Sequence, residues 1–317
     1  MPTTPTAVVL DRAELAWAAG FFDGEGSTIA RTLSTRPGYY QLNVTVPQGC
    51  RQGVPPLLKR FQQAMLGLGH ITGPSDEDIY MLRFTAREEA TLVLRLLWPD
   101  LGDVKRAQAT QAIALAARTG GSYQRRKPRK SPPSAPSIGE RSQDDIERAW
   151  AAGFLDAEGC FGLNRGRPRV RGPAWYRIRV SADQHGAVGS IPRVLLRLQG
   201  ALGGVGRIDR HGASDDYKWS VEGRAMIEEV LALTSEWLGA AKLRQAHQAL
   251  SKFDQQTRLK GDATRCVRGH LYTRVAMKGG RRRRICNACQ RLTDRARRAA
   301  VGIPPRPFKD LSRRYTH

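Results

Sequence analysis

Trp17-Ala-Ala-Gly-Phe-Phe-Asp-Gly-Glu-Gly26 returns 133 residues later as Trp150-Ala-Ala-Gly-Phe-Leu-Asp-Ala-Glu-Gly159. Each stretch reads as an apolar helix with small residues on one side and a glycine at its end, and the repetition decides the architecture. Three further landmarks follow in step. An alternating strand ends at a glutamine in Gln41-Leu-Asn-Val-Thr-Val-Pro-Gln48 and again in Arg177-Ile-Arg-Val-Ser-Ala-Asp-Gln184. An apolar helix then runs into a Gly-rich turn and a short strand, from Leu57 to Ile71 and from Val194 to Ile208. Lys105-Arg-Ala-Gln108 and Lys242-Leu-Arg-Gln245 each open a helix after a tryptophan, Trp98 or Trp237. A whole domain has therefore been duplicated.

Each copy reads as helix, two strands, helix, two strands, helix, helix. In the first copy, helices are expected near 12–24, 54–67, 86–98 and 104–118, with strands near 27–34, 39–46, 70–73 and 79–85. The fold class is thus α+β, two pseudo-symmetric αββαββα halves spanning 11–119 and 144–258. Residues 120–143 between them are basic and proline-rich and read as a linker. Ala18, Ala19 and Gly20, with Ala151, Ala152 and Gly153, permit two helices to pair with their backbones nearly touching. Pairing would bring Glu25 and Glu158 together at the bottom of the seam. Two carboxylates so close repel, and oxygen ligands of this kind suit Mg²⁺, a metal that supports phosphodiester hydrolysis. The backbone carbonyls of Gly24 and Ala157 are candidate further ligands.

Among 317 residues, 52 Lys and Arg face 29 Asp and Glu, a formal charge of +23. Such an excess points to a polyanion as partner, because neutralising phosphates releases counterions. With 40% hydrophobic residues the chain has material for a core, which excludes wholesale disorder. No apolar run approaches a membrane span, and Met1 to Leu10 lacks the segments of a secretory leader, so a cytoplasmic, nucleoid-associated protein is expected. Heavy use of Ala, Arg and Gly hints at a GC-rich bacterial or phage genome. The five cysteines fit metal binding better than a disulfide framework.

On these residues each motif resembles the signature helix of the LAGLIDADG homing endonucleases, in the single-chain form with two motifs. Ala18 to Gly26 and Ala151 to Gly159 occupy the nine positions, and the resemblance extends over about residues 11–252. It implies a monomer with internal pseudo-two-fold symmetry, forming a saddle over double-stranded DNA and cutting both strands to leave staggered ends. It also implies metal-binding acids at Glu25 and Glu158, where the more familiar residue is aspartate. Polar residues that hold water fall on Gln48 and Gln184, and lysines near the scissile phosphate on Lys105 and Lys242. Two other readings share the scaffold: a non-catalytic DNA-binding regulator and a maturase acting on intron RNA. A protein-splicing host is not expected, since no terminal nucleophile with His-Asn flanks the repeats.

Strand alternation assigns Leu42, Val44 and Val46, and Ile178 and Val180, to the core. The opposite face then carries Gln41, Asn43, Thr45, Arg177, Arg179 and Ser181 toward base edges, joined by Arg31, Tyr39, Asn164, Arg165 and Arg167. Because the two faces differ, the target should be long and only partly palindromic.

Residues 261–317 form a separate basic module. Cys266-x-x-x-His270 and Cys286-x-x-Cys289 have the spacing of one tetrahedral structural Zn²⁺, and the pattern resembles small Cys/His zinc modules appended to phage and mobile-element endonucleases. A DNA-contact role that lengthens the footprint is expected. Cys50 and Cys160 are expected to be ordinary buried or half-buried residues.

Overall fold

The computed structural model describes residues 9–33, 36–118, 137–165, 176–211, 215–258, 266, 268, 270–278 and 281–300. The chain divides into two compact units, Met1–Leu250 and Ser251–His317.

In the first unit, the first half comprises β1 (Val9–Asp11), α1 (Arg12–Glu25), β2 (Ser27–Leu33), β3 (Arg36–Gly49), α2 (Pro56–Ala64), β4 (His70–Thr72), β5 (Ile79–Phe84), α3 (Arg87–Leu97) and α4 (Asp103–Arg118). The second half repeats the series as β6 (Ser137–Gly139), α5 (Gln143–Glu158), β7 (Cys160–Arg165), β8 (Tyr176–His185), α6 (Arg193–Ala201), β9 (Arg207–Arg210), β10 (Asp216–Glu222), α7 (Arg224–Thr234) and α8 (Ala240–Arg258), the last crossing the division between units. Each half holds one antiparallel four-stranded sheet, ordered β2-β3-β5-β4 and β7-β8-β10-β9. The expected α+β duplication is present, with the same strand order in both copies. Sequence reading did not anticipate the parallel pair of β1 with β6, three residues each, which ties the two halves together ahead of their central helices. Ser137–Gly139 and the start of α5 at Gln143 lie inside the stretch expected to be linker; residues 120–136 of that stretch are outside the described residues.

Helix α1 starts where Asp11 accepts the Ala13 N–H at 2.8 Å, and α5 where Ser142 accepts that of Asp145 at 3.1 Å, in each case an orphan donor satisfied by a cap. From Leu15 to Asp23 every residue of α1 is buried, as is every residue of α5 from Ala149 to Asp156. A helix apolar all round belongs at the centre of a core. The two pack on one another at Gly20 and Gly153. A Cβ on Gly20 would lie 2.0 Å from the Trp150 carbonyl oxygen, and one on Gly153 would lie 1.9 Å from that of Trp17. The sheets cover this pair with Leu42, Val44, Val46, Leu82 and Phe84 from one half and Ile178, Val180, Ala182, Trp219 and Val221 from the other, all buried. Each such large side chain contributes roughly 1.5–3 kcal/mol on burial.

Gly26 and Gly159 end α1 and α5 as expected, with strands β2 and β7 beginning at the next residue. Gly26 and Gly159 have φ −71° and −68°, extended backbone open to any residue, so neither supplies a left-handed stop. Glycine is needed there for space: a Cβ would lie 2.2 Å from the Phe22 ring at Gly26 and 2.4 Å from the Leu155 carbonyl oxygen at Gly159. Among the described residues no helix is long and apolar enough to cross a membrane.

In the second unit, β11 (Arg274–Lys278) and β12 (Arg281–Ile285) form an antiparallel hairpin that leads into α9 (Asn287–Ala300).

Candidate active site

The seam between α1 and α5 ends in four carboxylates, and their environments separate them into two kinds. Asp23 and Asp156 are turned inward, 6% and 1% exposed. Asp23 accepts the indole N–H of Trp150 at 2.9 Å and the backbone N–H of Gly102 at 2.9 and 3.0 Å. Asp156 mirrors it, accepting Trp17 Nε1 at 2.9 Å and the Gly239 N–H at 3.0 and 2.8 Å. Each aspartate therefore binds the tryptophan of the opposite half and the residue just ahead of its own half's last helix, α4 or α8. Burial pushes both carboxyls up to about 6, although these hydrogen bonds oppose the shift.

Arginines complete the stitching. Arg60 lies 3.9 Å over the Trp17 ring, pairs with Glu14 at 2.6 Å and donates to the Trp237 carbonyl of the other half at 2.5 Å. Arg197 lies 4.1 Å over Trp150, pairs with Glu147 at 2.9 Å and donates to the Asp100 carbonyl at 2.5 Å. Sequence reasoning missed these positioning residues, yet the signal was available: Trp17 and Trp150, Asp23 and Asp156, Arg60 and Arg197 each recur at matching places in the two copies.

Glu25 and Glu158, one helical residue beyond Gly24 and Ala157, are the second kind. Glu158 lies against the opposite helix, its Oε1 3.5 Å from where a Gly24 Cβ would stand; the Ala157 Cβ would be 2.4 Å from the same point. Burial, followed by repulsion from Glu158, pushes the Glu25 carboxyl up to about 7. Burial also raises Glu158, while a hydrogen bond from the Gln184 side chain opposes the rise. Lys105 and Lys242 reach the ends of their own halves' helices: Lys105 Nζ donates to the Gly26 carbonyl at 2.5 Å, and Lys242 Nζ to that of Gly159. Burial lowers both ammonium pKa values, and the neighbouring carboxylates counter it. Gln48, the counterpart of Gln184, has a buried Oε1 with no partner among the described residues.

The expected residues thus converge from α1, α5, α4, α8 and β8. Two half-buried carboxylates held together against repulsion are a poor arrangement for an empty site and a good one for a hard divalent cation, whose ligands are oxygens. The donor set fits Mg²⁺.

The outer faces of the sheets follow the expected alternation, with a difference in exposure. Strand register places Arg31 across from Gln41, Ile29 across from Asn43 and Ser27 across from Thr45. Asn43 and Ser181, expected to point toward base edges, are 8% and 7% exposed, each in an inner strand of its sheet. Gln41 Nε2 is engaged by the Thr85 carbonyl at 3.0 Å. Arg177 pairs with Glu222 at 3.1 Å, and Arg179 approaches Ser181 Oγ at 3.5 Å. Thr45 and Tyr39 are half-buried, and Asn164 is exposed. Arg165 is in β7 but its side chain is not among those described, and Arg167 lies outside the described residues. Register adds two residues to the same faces: Arg83 opposite Thr45, and Lys218 opposite Asp183 and paired with it at 3.0 Å. Cys50 is half-buried as expected. Cys160 is exposed, correcting that expectation, because the first residue of β7 is on the outer face.

In the second unit, Cys266, His270, Cys286 and Cys289 bring their ligand atoms within 4.8 Å of one another, a group able to hold a metal ion.

No family model and no curated protein matches the chain. Solved structures do. The LAGLIDADG meganuclease I-AabMI bound to uncleaved DNA superposes with a TM-score of 0.59 at 16% identity, over 80% of this chain and 94% of that one. The homing endonuclease I-LtrWI bound to target DNA gives 0.55 at 16% identity, over 78% and 92%. I-SmaMI, bound to an uncleaved DNA target in the presence of calcium ions, gives 0.53 at 17% identity, over 78% and 93%. The duplicated halves, the paired motif helices and these likenesses together establish that the chain has the LAGLIDADG homing-endonuclease fold.

Proposed function

We propose that this protein is a sequence-specific, Mg²⁺-dependent DNA endonuclease that breaks both strands of a long, partly palindromic site and leaves staggered ends. The observation that carries the reading is the meeting of Glu25 and Glu158 at the α1/α5 seam, in a fold whose solved neighbours include complexes with DNA. Glu25 and Glu158 hold the metal, with the Gly24 and Ala157 carbonyls beside them. When bound, Mg²⁺ supplies an activated water and neutralises charge on the departing oxygen. Lys105 and Lys242 hold ammonium groups where negative charge builds on the phosphoryl oxygens. Gln184 orients Glu158, and Gln48 offers its buried oxygen in the other half. Arg31, Tyr39, Gln41, Thr45, Asn164, Arg177 and Arg179 face the DNA with Arg83 and Lys218; Asn43 and Ser181 lie on the same faces but are buried. The halves act as units 11–119 and 144–258, and 261–317 is a module whose Cys/His cluster takes structural Zn²⁺.

The test is cleavage of a randomised DNA library with Mg²⁺ by the parent, Glu25→Gln and Glu158→Gln. Each substitution should lower cutting about 100-fold or more, the scale of losing one preorganised charge-stabilising group. Equal cutting by the variants would reject the metal assignment. Specific binding without cutting by the parent would identify a regulator instead.

A further inference from the structure

The second unit has a problem of stability that its own residues cannot solve by apolar burial. Among its described residues from Cys266 to Ala300, only Cys266 and Cys286 are buried. Leu271, Val275 and Leu292 are 57%, 59% and 47% exposed. A two-stranded hairpin is at best marginal alone in water, and a short helix without a packed face is no better. The ligand atoms gather where a core would be. Cys266 Sγ lies 3.6 Å from His270 Nδ1 and 3.6 Å from Cys289 Sγ, and Cys289 Sγ lies 3.4 Å from His270 Nδ1. In a tetrahedral site with zinc–ligand bonds of ordinary length, ligand atoms stand about 3.6–3.8 Å apart. The four residues come from three places: the turn closed by the Cys266 N–H on the His270 carbonyl at 2.7 Å, the end of the hairpin, and the first turn of α9. Thr273 knits the same three, its N–H and Oγ1 donating to the Ile285 carbonyl and its Oγ1 accepting from the Asn287 N–H at 3.1 Å.

What this small frame presents is charge. From Cys266 to Ala300 there are eleven basic residues and one acid, Asp294, so ion pairs within the module cannot balance it. Strand β12 carries four arginines in succession, Arg281 to Arg284, with Arg283 and Arg284 exposed, and α9 adds Arg291, Arg297 and Arg298. Consecutive residues of a strand point to opposite faces, so Arg283 and Arg284 put charge on both, which suits a phosphate backbone better than a row of base edges.

We propose that zinc at Cys266, His270, Cys286 and Cys289 folds this module into a second, sequence-independent grip on the phosphate backbone of duplex DNA. The proposal rests on the reading above in taking duplex DNA as the polyanion and zinc as the metal of the Cys/His cluster. Zinc loading and hairpin order are then one event, and the grip is lost with the metal.

The experiment uses the full chain in three forms: parent, Arg283→Ala/Arg284→Ala, and Cys266→Ser/Cys286→Ser. Zinc content is expected to be one per chain for the first two and none for the third. Cobalt substitution of the parent should give the intense visible bands and thiolate-to-metal charge transfer of a tetrahedral site. Affinity for a random-sequence duplex is then measured across salt concentrations. The arginine variant should bind more weakly, its log K versus log salt slope shallower by about 1.8, which is 0.9 for each lost phosphate contact. The cysteine variant should show at least that loss. Absence of zinc from the parent, unchanged affinity and slope in the arginine variant, or a larger loss on RNA of equal length than on the duplex would each overturn the proposal. Cleavage assayed in parallel separates the two readings: an inactive seam leaves the zinc and slope results intact, and an inert module leaves cut position and chemistry intact.

Discussion

At the scale of single residues, the seam between α1 and α5 is a place where carboxylates are kept against their preference. Asp23 and Asp156, near 6, and Glu25, near 7, all titrate above the ordinary range of 3.8–4.5, chiefly because burial disfavours the anion. The sign for stability follows from linkage. Between the unfolded and folded pKa values the folded state binds more protons, so stability falls as pH rises through that window. In EDTA, with salt enough to screen the net positive charge, thermal midpoints should rise as pH is lowered from 7.5 toward 5. Added Mg²⁺ at pH 7.5 should recover much of the difference if Glu25 and Glu158 hold it. A midpoint that falls on acidification, with no effect of Mg²⁺ at neutral pH, would show that the seam carries no such strain. The aspartates differ from the glutamates in being almost fully buried and in holding a donor from each half. Each is satisfied by an indole and a backbone N–H, and so serves to lock the halves rather than to bind metal.

At the scale of elements, the fold depends on how closely two helices approach. Gly20 and Gly153 place each backbone against a carbonyl of the other helix, and backbone cannot step aside as a side-chain tip can. Gly20→Ala or Gly153→Ala should cost about 3 kcal/mol or more in urea unfolding, at the upper end for overpacking. Gly162→Ala, at a site in β7 with nothing within 4 Å of the added methyl, should shift the same curve little. Comparable midpoints for all three would mean that the helices separate without penalty. The separation would also part Glu25 from Glu158, so loss of stability and loss of cutting should go together in the first two variants.

At the scale of the molecule, the halves match in topology and differ in equipment. Glu158 has Gln184 donating to it and Asp183 close enough to raise its pKa, whereas Pro47 stands where Asp183 would be in the first half and the Gln48 oxygen has no partner among the described residues. On the proposed reading, two unequal centres should cut their strands at unequal rates. With supercoiled plasmid carrying the target, nicked circles should accumulate before linear product, and Asp183→Asn should change the rate on one strand only. Simultaneous cutting, with both strands slowed equally in the variant, would show that the difference between halves has no kinetic consequence.

Duplication, the order of elements, the motif acids, the lysines and the Cys/His spacing were all determined by sequence, because each is a local pattern of residue types or its recurrence. Only tertiary structure decided three further matters. It showed that the motif aspartates cross to the tryptophans of the opposite half, that β1 pairs with β6 across more than a hundred residues, and that Asn43 and Ser181 are covered although they lie on the expected face. The physical reason is the same in each case. Periodicity tells a side chain which way to point, but what it meets there is set by packing between segments distant in the chain, and one sequence read along its length contains no measure of that distance.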